Sequence, residues 1–249
     1  MKPFDIHVHF EAFKPKQVDG LIADAKKVLS GAINPGTYPK ANRVVLKLAR
    51  KYKDFIWPAL AVHPIYLPKM TDEQIEQELD FISKQNIVAI GEAGLDYFWL
   101  KKVIKKNVDE EKKRQIKFFK KQIKLADKMN IPIIIHSRWS IARVIKILKE
   151  MRPKKAVLHG FSGNLEQAKD MIDLGYMLSN GPRVREFFKD LPLNKILLET
   201  DAPYMKVNDR NAAPKDILLA VKKLAELKNI SEEKVIKQTN KNVKKYFEI

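Results

Sequence analysis

Six residues near the start of the chain, Asp5-Ile6-His7-Val8-His9-Phe10, decide how the rest is read. Apolar Ile6, Val8 and Phe10 alternate with polar Asp5, His7 and His9, the pattern of a short buried strand. Side chains alternate across a strand, so His7 and His9 share a face, with Asp5 one step behind them. At ~3.3 Å per residue the two imidazoles stand about 7 Å apart and can converge on one metal ion. Two ordinary histidines on an amphipathic strand fit the same pattern, and the remainder of the chain has to discriminate.

Working outward, the periodicity alternates between strand and helix. Val18 to Val28 and Ala41 to Tyr52 read as helices, with a short strand and loop at Ser30 to Pro35 between them. Phe55 to Val62 is a nearly continuous apolar run, as in a strand covered on both sides, and His63-Pro64 ends it. Thr71 to Gln74 has the form of a capping box, and the helix it opens aligns Ile75, Leu79 and Ile82. Ile87 to Ile90 is a buried strand running into Gly91-Glu92-Ala93-Gly94-Leu95-Asp96. Ile131 to Ile135 ends in His136-Ser137-Arg138, and Ala156 to Leu158 ends in His159-Gly160. Tyr176 to Ser179 is followed by Asn180-Gly181-Pro182 and a helix to about Asp190. Ile196 to Leu198 reaches Glu199-Thr200-Asp201, and helices from about Pro214 and from Ser231 close the chain. Eight strand–helix units in about 250 residues fit a closed (β/α)8 TIM-type barrel with extra C-terminal helices, a single domain over residues 1–249.

The bulk composition narrows the chemistry. The 249 residues contain no cysteine, so disulfides and thiolate sites are excluded and any metal is held by His, Asp and Glu. Such ligands suit Mg, Mn, Zn, Ni or Co without choosing among them. The polar residues at the start leave no signal-peptide core, and no apolar run approaches the ~18 residues of a membrane span, so a cytoplasmic protein is expected. The formal charge of +18 raises attraction to nucleic acid, although lysine-rich, cysteine-free chains also occur in hot-adapted proteins. Residues 101–124 carry eleven Lys or Arg against three acids. From Asp109 onward they read as a helix with a solvated lysine face or a phosphate-facing flank. Residues 101–108 are less regular and read as a loop insertion.

Placed on this scheme, the metal-capable residues coincide. His7 and His9 end the first strand, Glu92 the fourth, His136 the fifth, His159 the sixth and Asp201 the eighth, all at the C-terminal ends where barrels carry their chemistry. The fifth and last histidine, His63, ends the third. Two ions about 3.5–4 Å apart need a bridge, and a carboxylate with two oxygens makes Glu92 the natural one. His7 and His9 would hold one ion, His136 and His159 the other. Asp201 can ligate and still accept a proton from the activated water, which makes it the expected general base. Asp5 and Glu199 could orient histidines through their outer nitrogens, or serve as core polar contacts.

Together, His-x-His, Gly-Glu-Ala-Gly-Leu-Asp-Tyr (91–97), Ile-Ile-His-Ser-Arg (134–138), His-Gly-Phe-Ser-Gly (159–163) and Leu-Glu-Thr-Asp-Ala-Pro-Tyr (198–204) resemble the TatD family of metal-dependent hydrolases, a branch of the amidohydrolase superfamily. The resemblance spans essentially the whole chain. It implies a TIM-type barrel, one or two divalent ions and the ligands His7, His9, Glu92, His136, His159 and Asp201. It also implies substrate contact for His63 at the pocket rim and phosphate binding for Arg138. Characterised TatD-like proteins are mostly divalent-metal-dependent deoxyribonucleases, and some act on other esters, including aminoacyl-tRNA. Three stretches depart from the family pattern: basic Tyr97 to Val108, a short Ser179 to Leu191, and Ile65-Tyr66 where a second histidine commonly follows His-Pro. All border the pocket, so they bear on substrate rather than on hydrolysis. The expected function is divalent-metal-dependent phosphodiester hydrolysis, with DNA as substrate. An acyl ester or amide hydrolase is the alternative. A non-catalytic nucleic-acid scaffold would have no use for Glu92 and Asp201. Oligomeric state is not legible.

Overall fold

Apolar strand runs and amphipathic helices sort into concentric layers. The computed structural model describes residues 1–104 and 107–249; Lys105 and Lys106, inside the stretch read as a loop insertion, lie outside the described residues. Eight parallel strands follow in chain order: β1 (Phe4–Asp5), β2 (Gly31–Pro35), β3 (Ile56–Leu60), β4 (Ala89–Asp96), β5 (Ile133–Arg138), β6 (Ala156–Leu158), β7 (Met177–Asn180) and β8 (Ile196–Leu198). The ring closes where Ile6 N donates to Leu198 O at 3.0 Å, Asp201 N to His7 O at 2.8 Å and His9 N to Ala202 O at 2.8 Å. The expected TIM-type barrel is the fold.

The crossovers carry α1 (Pro15–Val28), α2 (Pro39–Lys51), α3 (Asp72–Ser83), α4 (Tyr97–Val103), α5 (Val108–Met129), α6 (Ile141–Met151) and α7 (Leu165–Asp173). Thr71 and Gln74 close the capping box of α3 that the sequence announced. Two readings need correction. Residues 97–103 form α4, capped by Asp96, so residues 101–103 are helical where a less regular stretch over 101–108 was expected. After β7 the expected helix is only a 3-10 turn, Glu186–Asp190, because Pro182 and Pro192 bracket a crossover too short for an α-helix and its return. Three lysines of α5 are tied to neighbouring helices: Lys117 pairs with Asp72 at 2.5 Å, Lys120 with Glu150 at 3.3 Å, and Lys121 with Glu76. These pairs favour the structural reading of that face over a phosphate-facing one.

The barrel lumen is filled by Phe4, Ile6, Ile33, Ala59, Ile134, Val157 and Leu197. The last two helices are α8 (Ile217–Lys228) and α9 (Glu232–Phe247). Val243 and Phe247 of α9 pack into the lumen core from below. Asn242 Nδ2 donates to Leu193 O at 2.9 Å and to Ile196 O at 2.8 Å, fastening α9 under β8. With the lower end plugged, the open end is the C-terminal one. Among the described residues no helix is long and apolar enough to cross a membrane.

Candidate metal centre

Strict alternation would not aim these side chains correctly, and two local irregularities do. Along β4, Ala89 faces the lumen and Ile90 the helices. Regular alternation would then send Glu92 outward with Ile90. The register instead shifts between Ile90 and Ala93, a bulge that places Ala93 and Leu95 outward and Glu92 inward. Gly94 continues β4 beside His136, where a Cβ would meet the His136 carbonyl oxygen at 2.1 Å. At the first strand Ile6 belongs to the lumen and Val8 to the outer layer, so a bend turns His7 and His9 together into the cavity. They share a face as expected, whereas Asp5 does not.

Glu92 is the hub. Its Oε2 lies 3.3 Å from His7 Nε2 and 3.5 Å from His9 Nε2, and those two nitrogens are 3.1 Å apart. Asp201 Oδ1 completes this group, 3.9 Å from His7 Nε2 and 3.7 Å from His9 Nε2. The other oxygen, Oε1, lies 2.6 Å from His136 Nδ1, 2.8 Å from His159 Nε2 and 3.4 Å from His63 Nε2. One carboxylate therefore faces two separate sets of donors. A cation bonded at ~2.1 Å has ligand–ligand edges of roughly 3.0–3.5 Å, close to these spacings. His7 and His9 aim their Nε2 atoms at one point beside Glu92 Oε2 and Asp201 Oδ1, where a cation can take both lone pairs. The donor set fits divalent ions.

Behind the rings stand carboxylates. Glu11 Oε1 is 2.8 Å from His9 Nδ1, and its Oε2 accepts from Asn34 Nδ2 at 2.6 Å. Asp96 Oδ2 is 3.1 Å from His136 Nε2. Buried Glu199 faces His159 Nδ1 across 3.5 Å and accepts from Ser179 Oγ at 2.5 Å. Such partners fix which ring nitrogen points inward. Of these, sequence reading singled out only Glu199; Glu11 and Asp96 lie two and four residues beyond His9 and Glu92 and carried no periodic signal. Asp5 binds backbone instead. It accepts from His7 N at 3.0 Å, Thr200 N at 3.1 Å and Thr200 Oγ1 at 2.6 Å, stapling the first strand to the corner that presents Asp201.

Burial and charge pull these groups apart. Burial, with charge on His159, brings the His7 imidazole down to about 4. Burial opposes the charged form of His9 too, but Glu11 and Glu92 outweigh it and carry the ring to about 10. His159 is likewise held well above the ordinary range against burial, by Glu92 and Glu199. The surrounding imidazoles overcome burial at Glu92 and hold its carboxyl well below the usual range. Burial pushes Asp201 up to about 7.

His9, Glu92, His136, His159 and Asp201 line a cavity of about 450 Å³ together with Trp99, Arg138 and Tyr204. Arg138 is exposed there, its guanidinium over the Phe98 ring at 3.9 Å. His63 was expected at the rim. It is instead 5% exposed and sits beside Glu92, because His63 N is bonded to Thr37 O and Gln122 of α5 clamps Val62 through both its N and its O. Ile65 N donates to His63 Nδ1 at 3.2 Å, which leaves the proton of the neutral ring on Nε2.

The profile of the TatD related DNase family matches residues 4–248. The chain belongs to that family. It is 30% identical over 262 residues to the uncharacterized metal-dependent hydrolase YabD of Bacillus subtilis, covering 99% of both chains. It is 31% identical over 265 residues to human deoxyribonuclease TATDN3, covering 98% of this chain and 93% of that one. The crystal structure of YjjV, a TatD homologue from Escherichia coli, superposes with a TM-score of 0.85 at 30% identity, over 99% of this chain and 98% of that one. The protein is thus a metal-dependent hydrolase of the TatD family, as its motifs implied.

Proposed function

We propose that the protein hydrolyses phosphodiester bonds in DNA. One or two divalent ions would be held by His7, His9, Glu92, His136, His159 and Asp201, with Asp201 and Glu92 as catalytic residues. The observation that carries this reading is the position of Glu92, whose two oxygens face separate donor groups in a cavity that also holds Arg138. When bound, divalent ions supply Lewis acidity toward a phosphoryl oxygen and make a water acidic near neutral pH.

The side chains do the rest. Glu92 sets the spacing between the two donor groups. Asp201 takes the proton of the attacking water; 21% of its side chain stays exposed and it lines the cavity, within reach of that water. Arg138 forks onto the non-bridging oxygens of the phosphate. His63, its proton fixed on Nε2 and facing Glu92 Oε1 at 3.4 Å, forms part of the cavity wall that the substrate contacts. The deoxyribonuclease name of the human relative supports DNA over other esters, and the charge of +18 suits a nucleic-acid substrate, aminoacyl-tRNA included. We read residues 1–249 as one domain working in the cytoplasm.

The test is cleavage of single-stranded DNA by metal-stripped protein with Mg²⁺, Mn²⁺ and Zn²⁺ restored separately, beside Asp201→Asn. Asparagine is the right replacement because residue 201 has a φ of 49°, a left-handed conformation that Asn tolerates and Ala resists. It can still ligate but cannot take up the proton. Metal-restored cleavage that drops by roughly 10²- to 10⁴-fold in the variant is expected. A variant as active as the wild type would refute the base assignment. Turnover of a simple acyl ester with DNA left intact would move the substrate to the acyl class, aminoacyl-tRNA included.

A further inference from the structure

Beside the cavity mouth, two tryptophans stand in solvent. Trp139 is 66% exposed and Trp99 41% exposed, large apolar surfaces that folding alone would bury. Phe98 sits between them, its ring centroid 4.8 Å from Trp139 and 6.0 Å from Trp99, at 81° to each. Edge contacts of this kind hold both indoles in place. Cations interleave with the rings: Arg138 lies 3.9 Å and Lys102 4.2 Å from the Phe98 centroid, Lys102 5.5 Å from Trp99, and Lys101 5.8 Å from Trp139.

This shelf is joined rigidly to the donor cluster. Trp99 N donates to Asp96 Oδ1 at 2.7 Å, and the other oxygen of that carboxylate stands 3.1 Å from His136 Nε2. Trp139 directly follows Arg138, which pairs with Asp96 across β4 and β5. Ser140 Oγ donates to Leu95 O at 2.8 Å and pins the turn on its far side. Trp99 and Arg138 line the same cavity as Glu92.

Flat aromatic faces alternating with cations complement a ligand whose flat π-faces alternate with anions. We infer that Trp99 and Trp139, braced by Phe98 and flanked by Lys101, Lys102 and Arg138, form a base-stacking shelf that seats single-stranded nucleic acid beside the scissile phosphate. The inference rests on the phosphodiesterase reading. A duplex keeps its base faces stacked inside and cannot use the indoles, whereas a single strand can, whatever its sequence. The shelf lies on α4 and on the turn after β5, which gives residues 97–103 of the basic segment a strand-binding role.

The test is fluorescence anisotropy of metal-loaded protein with a labelled phosphorothioate oligothymidylate, which keeps bases and charge and resists cleavage. Trp139→Ala is expected to weaken binding at least about fivefold, and the Trp99→Ala, Trp139→Ala pair by roughly 10- to 100-fold. Trp139→Phe should restore most of the single loss, which separates stacking from general damage to the fold. A duplex of equal length should bind weakly and respond to neither change. The inference is overturned if the double variant binds the oligothymidylate like the wild type, or if duplex affinity falls in parallel. It is equally overturned if the wild type is a dimer that the double variant dissolves with strand binding intact, since the shelf would then seat a second copy. Hydrolysis of a small phosphodiester without nucleobases by the wild type runs alongside. Its failure, with tryptophan-dependent strand binding preserved, would remove the phosphodiesterase reading and leave the shelf standing.

Discussion

Glu11 is the residue whose removal most cleanly tests how the candidate centre is held. Its Oε1 lies 2.8 Å from His9 Nδ1 and its Oε2 accepts from Asn34 Nδ2 at 2.6 Å, so both oxygens are committed. The carboxylate fixes the His9 proton on Nδ1 and presents the Nε2 lone pair to the cavity. Glu11→Gln removes the charge and sets an NH₂ group against Asn34 Nδ2. Asn34 could turn its amide, since its Oδ1 has no partner among the described residues, but it would then lose its bond to Pro35 O at 3.3 Å. Orienting partners of this type are worth about 10- to 100-fold in metal affinity, or roughly 1.4–2.7 kcal/mol. Glu11→Gln, which keeps one acceptor, belongs at the tenfold end and Glu11→Ala at the hundredfold end. The assay is competition for Zn²⁺ or Mn²⁺ against a calibrated chelator, with thermal melting of the metal-free variants to confirm the fold. Nitrogen-resolved NMR of the His9 ring in the metal-free protein adds a direct readout, because the charged ring that Glu11 supports at neutral pH should lose population in both variants. If both bind metal as tightly as the wild type and His9 stays as fully charged in the metal-free variants, the role given to Glu11 is wrong.

Two further outcomes concern protons. In the metal-free protein Glu11 and Glu92 hold His9 charged at neutral pH, with a pKa of about 10, and burial leaves Asp201 near 7. Metal must displace these protons, so calorimetry in buffers of different ionisation enthalpy should show proton release at pH 7, with affinity rising as pH rises; a pH-independent affinity between 6 and 8 would contradict the geometry. Away from the centre, Arg210 contacts both oxygens of Asp216 at 2.7 and 2.6 Å, and Ala213 N donates to the same carboxylate at 2.7 Å. Burial opposes ionisation of Asp216, but Arg210 and the backbone donor outweigh it and hold the group below its ordinary 3.8. A depressed carboxylate stabilises the fold above its unfolded value and loses that contribution as pH falls through the folded one. Asp216→Asn should therefore melt below the wild type at pH 7, with the gap closing below about pH 4. A gap that stays constant down to pH 3 would mean that it does not come from the ionised Asp216 carboxylate.

The barrel was legible because its signal is local and repeated. Buried parallel strands need continuous apolar runs, their crossovers need amphipathic helices, and both periods are written in the chain. Residues that end a strand in such a barrel share one rim, so His7, His9, Glu92, His136, His159 and Asp201 could be gathered from position alone. The failures were equally local. Pro182 and Pro192 shortened the seventh crossover to a 3-10 turn, and an aspartate cap turned residues 97–103 into α4.

By itself, then, the sequence determined the fold class, the kind of donor available and the end of the barrel where the donors meet, because composition and hydrophobic period are properties of the chain. Only the tertiary structure decided which way those donors point. The bulge in β4 turns Glu92 from the helix side into the cavity, and a bend at Ile6 brings His7 and His9 around while leaving Asp5 on the backbone. Which carboxylate stands behind which ring was likewise settled by contacts between different strands and turns: Glu11 behind His9, Asp96 behind His136, Glu199 behind His159. A side chain's direction depends on the register of its strand against its neighbours, and register is a relation between distant segments that no single window of sequence contains.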